Sequence, residues 1–214
     1  ENVKVLSCTY EDLDNAKIEV LRKNVFVGTT AFMKKVWEKL GVNPKIISFP
    51  DVRHDFQFGT LGEVLDKFKS TKSPVFVKPL EIKLFDGYPI TDEWNLSYLK
   101  DYPLDTKVGY CPVYKFDAEF RIYVNNGVII DIKNYSGELT LFPNQNEFQY
   151  INNVIKKNLE DPEFPSTYAL DYAKGDDLCL IIEYNDFWAL GNYGMPAEMY
   201  AKLLKKRYFE IVNT

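Results

Sequence analysis

The chain has 214 residues, 46% of them from the set AVILMFWYC and 27% charged, an ordinary globular composition with enough apolar material for a core. Acidic residues outnumber basic ones by 31 to 26, and a net charge of −5 argues against a general nucleic-acid binder, which needs a basic excess. Aromatic residues reach 15%, which favours a sheet-rich fold because flat rings pack well on pleated surfaces.

In chain order, the apolar run Val3 to Cys8 and the stretch Lys17 to Val27 carry no decisive period. A helix follows, capped by Thr30, with Phe32, Val36, Trp37 and Leu40 on one face and Gly41 as its stop. Thr60 and Glu63 have capping-box spacing and open a second helix whose apolar side is Leu61, Val64, Leu65 and Phe68. From residue 74 the texture is that of strands. Pro74 to Pro79 and Gly109 to Tyr114 read as buried strands, and Glu119 to Val124 with Gly127 to Asn134 reads as a hairpin turned at Asn125-Asn126-Gly127. Phe148, Ile151, Val154, Ile155 and Leu159 fall at helical spacing. Thr167 to Ala173 and Leu178 to Tyr184 form a second hairpin, and a last helix starts at Pro196 and carries Met199, Leu203, Leu204 and Phe209.

Three distant cysteines, Cys8, Cys111 and Cys179, offer neither a disulfide framework nor a metal knuckle, and one histidine, His54, supplies no triad. No stretch approaches the roughly 20 apolar residues of a membrane span, and the opening Glu1 to Lys4 does not read as a signal peptide. The expectation is a reduced, cytoplasmic protein.

Four segments carry polar chemistry. In Phe76-Val77-Lys78-Pro79 a lysine between apolar strand residues can hold phosphate oxygens in a cleft, or be an edge lysine reaching for water. Lys83-Leu84-Phe85-Asp86-Gly87 can fold over a triphosphate, or be a plain Asp-Gly turn. Period two puts Glu119, Arg121 and Tyr123 on one strand face, with Lys133 on the returning strand, either a solvated face or a cleft that sets Arg121 and Lys133 against a phosphate. Asp171 and Glu183 each follow an apolar strand segment of one hairpin, and Asn185 stands two residues past Glu183. Strand-end acids explain each separately, whereas hard oxygen ligands for Mg²⁺ on nucleotide phosphates explain the cluster.

In this order the segments resemble the ATP-grasp fold, and more closely its phage and bacterial arginine-and-two-lysine clade. That clade has Phe-x-Lys-Pro, Lys-x-Phe-x-Gly, Glu-x-Arg, Glu-x-Asn and a late Gly-x-Tyr-Gly, here Gly191-Asn192-Tyr193-Gly194. Val25-Phe26-Val27-Gly28 also resembles its N-terminal part, so the likeness runs from about residue 25 to 200.

The resemblance implies an α+β fold of two lobes with largely antiparallel sheets clasping ATP. Residues 1–73 would form a small N-terminal α/β lobe and 74–214 the nucleotide-binding and catalytic part. It further implies an ATP- and Mg²⁺-dependent carboxylate–amine or carboxylate–thiol ligase working through an acylphosphate, in a host cytoplasm if phage-encoded. Its partners would be ATP, a carboxylate and an amine, small molecule or peptide. Lys78, Lys83, Gly87, Tyr110, Cys111, Pro112, Val113 and Glu119 would bind ATP, with adenine against Tyr110 to Val113. Arg121 and Lys133 would act on the transferred phosphate, and Asp171, Glu183 and Asn185 would hold metal. An additional phosphate-binding lysine of the superfamily has no clear counterpart; Arg53, Lys67 and Lys69 are its candidates.

Two other readings stand beside this one. Lys83 to Gly87 nearly matches the Lys-x-Asp-Gly motif of nucleic-acid ligases that form a lysyl-nucleotide, with one residue too many. A nucleotide-sensing or host-interaction module would keep the fold without turnover. Geometry adds a constraint on the metal hairpin. Opposed residues of an antiparallel pair share a face, so Asp171 and Glu183 meet only if their pairing sum is even. A tight four-residue loop, Lys174 to Asp177, gives an odd sum. The sequence therefore requires an odd-numbered loop or a bulge, for example Ala173 opposite Cys179 and Asp171 opposite Ile181.

Overall fold

The computed structural model describes residues 4–44, 56–81, 84–175 and 179–213. Three helices open the chain: α1 (Tyr10–Asn15), α2 (Ile18–Lys23) and α3 (Thr30–Leu40). The first two have six residues each, too few to display a helical period. The third stands where its apolar spacing puts it, but its cap is Thr29, whose hydroxyl accepts from the Phe32 amide, and Thr30 is the first helical residue. Gly41 ends it at φ 69°, a left-handed conformation.

The first sheet contains β1 (Gln57–Thr60), β2 (Val75–Pro79), β3 (Tyr88–Ile90) and β4 (Lys107–Pro112), antiparallel in the order β1-β4-β2-β3. Helix α4 (Leu61–Thr71) starts at the Thr60/Glu63 capping box and packs Leu61, Val64, Leu65 and Phe68 against Val75, Val77, Ile90 and Val108. This sheet joins β1 and α4 to the strands beyond residue 74, across the position at which the sequence divides the chain.

The second sheet contains β5 (Ala118–Asn125), β6 (Val128–Gly137), β7 (Thr167–Lys174) and β8 (Cys179–Asp186), antiparallel in the order β6-β5-β7-β8. The β5–β6 turn takes positive φ at Asn126 and Gly127, 50° and 74°, as a two-residue type I′ hairpin requires. Helix α5 (Gln145–Glu160) covers one face, setting Ile151, Val154 and Ile155 on Phe120, Ile122, Val124 and Leu170. Helix α6 (Ala197–Val212), after Pro196, meets the other face through Leu203 and Leu204, against Tyr123 and Ala169. The same helix receives α1 to α3: Tyr208, Ile211 and Val212 share a core with Leu13, Leu21, Val36 and Trp37. Burying each such side chain contributes about 1.5–3 kcal/mol, and this docking fixes α1 to α3 on α6. Among the described residues no helix is long and apolar enough to cross a membrane.

Candidate active site

Alternation along β5 turns Phe120, Ile122 and Val124 to α5 and leaves Glu119, Arg121 and Tyr123 on the opposite face, part of which α6 does not cover. There the register builds a row across all four strands. Lys133 of β6 faces Arg121 of β5, Arg121 faces Asp171 of β7, and Asp171 faces Glu183 of β8. The last pairing depends on a bulge. Lys174 pairs with Cys179 and Tyr172 with Ile181, but the register shifts between Asp171 and Tyr172, and Ile182 becomes the extra residue. The even pairing sum is thus achieved by a bulge, at a different place from the Ala173–Cys179 register expected.

Arg121 and Asp171 are buried and form a bidentate pair: Nε donates to Oδ1 at 2.9 Å and Nη2 to Oδ2 at 2.7 Å. Burial pushes the Asp171 carboxyl up while Arg121 opposes it. Burial also weakens the Arg121 cation, but Asp171 outweighs that and holds it above its usual range. Asn185 donates its amide N–H to Asp171 at 3.2 Å. Tyr135 gives its hydroxyl to Glu119 at 2.9 Å, with Asp171 at 3.4 Å, and burial with two nearby carboxylates keeps that phenol protonated. Lys133 pairs with Asp131 at 3.1 Å.

Between this face and the first sheet lies a cavity of about 370 Å³. Its first-sheet wall is the cross-strand row Pro89, Phe76 and Cys111, continued by Pro112 and Val113. Lys78, two residues after Phe76 on the same face, forms an ion pair with Glu183 across the gap. Glu119, Tyr135 and Ile182 line it from the second sheet, and Phe56, Tyr114 and Phe116 complete the lining. A Cβ on Gly87 would collide with the Phe76 Cζ, so a larger residue there would push that ring aside.

The structure thus gathers Lys78, Gly87, Cys111, Pro112, Val113, Glu119 and Glu183 around one cavity, with Arg121, Lys133, Asp171 and Asn185 on the adjoining face. Tyr110 does not line this cavity. Period two turns its ring to the α4 side, where it packs with the α4 core under the Lys67 ammonium, 4.9 Å from the ring centre. Lys67 and Lys69, the latter paired with Asp66 at 3.7 Å, do not line the cavity. Lys83 and Arg53 lie outside the described residues. Sequence reasoning gave no role to Tyr135, Ile182 or Tyr193. Alternation from Lys133 could have found Tyr135, but Ile182 is brought to the cavity only by the bulge.

The family model of the ATP-grasp domain, family 2 of the arginine-and-two-lysine clade, matches residues 53–203. The chain belongs to that family. ATP-grasp proteins are ATP-dependent ligases, and this ATP-grasp domain is an enzyme of that broad kind. Among solved structures, a RimK domain ATP-grasp protein from Sphaerobacter thermophilus DSM 20745 shares the fold with a TM-score of 0.51 at 11% identity, over 88% of this chain and 67% of its own. A D-alanine–D-alanine ligase from Bacillus anthracis follows with a TM-score of 0.48 at 15% identity, over 86% and 67%. An N5-carboxyaminoimidazole synthetase from Staphylococcus aureus, solved with ADP, gives 0.47 at 12% identity, over 86% of this chain and 50% of that one. Among curated proteins none matches the sequence.

Proposed function

We propose that this ATP-grasp domain joins a carboxylate to an amine, or to a thiol, through an acylphosphate. The observation that carries the reading is the row Lys133–Arg121–Asp171–Glu183 facing Lys78 beside a cavity with an apolar wall. The wall of Phe76, Cys111, Pro112 and Val113 suits a nucleobase, with Glu119 at its edge. Lys78 and Lys83 suit the phosphates, and Gly87 leaves room beside them. A substrate carboxylate oxygen attacks the γ-phosphorus and the bond to the β–γ bridging oxygen breaks, releasing ADP. The amine nitrogen then attacks the acyl carbon, loses a proton, and phosphate leaves. No side-chain nucleophile is required; cations that meet the growing charge are, and Arg121 and Lys133 are the candidates to supply them.

The donor set fits magnesium. Asn185 spends its N–H on Asp171 and keeps its amide oxygen, while Glu183 brings a carboxylate that Lys78 neutralises here. Both oxygens of Asp171 accept from Arg121, so its main work is to hold Arg121 and Asn185 in place while adding negative charge. One or two carboxylates with phosphate oxygens are magnesium's usual ligands. Glu183 and Asn185, backed by Asp171, would hold the ion, which supplies charge neutralisation when bound.

Calorimetry with ATP and Mg²⁺ is expected to show one site, and Lys78→Ala to weaken it roughly tenfold or more, the worth of a charge-assisted contact to phosphate. Unchanged affinity would leave Lys78 with no part in phosphate binding. Phosphate release with a mixed pool of amino acids and peptides tests turnover. Radiolabelled ATP leaving covalent AMP on the chain would favour a lysyl-nucleotide mechanism instead.

A further inference from the structure

Tyr193 combines three properties. It is half-exposed, its backbone lies at φ 43°, where a non-glycine residue is strained, and its ring centre stands 4.4 Å from the Arg121 guanidinium carbon. Tyr135 lies 5.4 Å from the same carbon. The two ring centres are 5.6 Å apart at an interplanar angle of 58°, so they form an open corner against which the guanidinium rests, not a sandwich. The Tyr193 segment is itself tied down. Tyr123 donates its hydroxyl to the Gly191 carbonyl at 3.1 Å, the Met195 amide donates to the Asn192 carbonyl at 2.7 Å, and Gly194 turns the chain at φ 84°. On its other side Arg121 is held by Asp171, and among the described residues its Nη1 has no hydrogen-bond partner.

We propose that Tyr193, with Tyr135, is a positioning residue that fixes Arg121 for the transferred phosphate, a role that rests on the ligase reading above. The carboxylate of Asp171 sets the plane of the guanidinium through two hydrogen bonds but leaves it free to tilt about that edge. Rings against the cation restrict the tilt, because a guanidinium gains most when it stays over an aromatic face. The turn from Asn192 to Met195 sets the positive φ at residue 193; a glycine or asparagine would suit that turn better but would bring no ring.

The test compares AMP-PNP with ADP, each with Mg²⁺, by calorimetry, since the two differ at the γ-phosphate that Arg121 would contact. Wild type is expected to prefer AMP-PNP. Tyr193→Leu should reduce that preference roughly three- to tenfold while ADP affinity stays level, and Tyr193→Phe, which keeps the ring, should retain it. Arg121→Lys sets the floor, as it keeps charge without the planar fork. A Tyr193→Leu protein with the wild-type preference overturns the assignment, as does an equal loss for both nucleotides, which would mark a merely structural role. A wild-type chain that binds neither nucleotide overturns the ligase reading itself.

Discussion

Glu183→Ala is expected to lose ATP-dependent phosphate release by roughly 10²–10³-fold, the scale on which removing one charge-stabilising group slows such reactions. Its melting temperature should stay within a few degrees of wild type. The Glu183 side chain is one-third exposed and its Lys78 partner about one-quarter, so solvent screening leaves their ion pair little net worth. A companion measurement separates metal binding from general damage. In the chain as it stands Glu183 holds Lys78, so metal-free ATP must compete with a carboxylate for that cation. Glu183→Gln should therefore bind ATP more tightly than wild type in EDTA, and less tightly once Mg²⁺ is present. A fully active Glu183→Ala protein would remove the metal assignment and most of the ligase reading with it.

Asp186→Ala should lower the melting temperature by roughly 6–20 °C, corresponding to about 3–5 kcal/mol for breaking one side of a buried ion pair in a domain of this size. Asp186 accepts from Arg207 Nε at 2.9 Å and from Nη2 at 2.5 Å, and both residues are buried. Truncation leaves the Arg207 cation, among the described residues, with Glu210, 3.2 Å from its Nη1. The pair ties α6 to the end of β8, next to Asn185, and α6 carries the three N-terminal helices. Thermal melts should therefore lose one cooperative transition as a whole. Replacing both partners by apolar residues, Asp186→Leu with Arg207→Met, should recover much of the loss, because no buried charge is then left unpaired. A single variant melting within about 2 °C of wild type would show that α6 docks on apolar packing alone.

Much of the fold was legible where local chemistry dominates. The Thr60/Glu63 box, the Asn126-Gly127 turn and the helical spacing from Phe148 to Leu159 depend on neighbours within a few residues, and each stands where the sequence puts it. The short strands β1 and β3 were not legible, because four and three residues carry no period and only pairing with β4 and β2 makes them strands. Helices α1 and α2 were missed for the same lack of length. Tyr110 shows how a correct strand can still mislead: its segment forms β4, but its alternation relative to Cys111 decides which residues meet the cavity.

The site divides along the same line. By itself the sequence determined which charges the chain has, their order, and the parity that Asp171 and Glu183 must satisfy to share a face. Only the tertiary structure decided how parity is met, since the bulge at Ile182 follows from the pairing of the whole β7–β8 ladder. It also decided that Asp171 is committed to Arg121, that Glu183 reaches across to Lys78 on the other sheet, and that Tyr193 comes from a distant segment to lie against Arg121. These contacts join residues 50 to 105 positions apart in the sequence, 105 for Lys78 and Glu183 and 50 for Arg121 and Asp171. No local propensity encodes such pairings, because they form only when burial of the two sheets' apolar faces has brought the strands together.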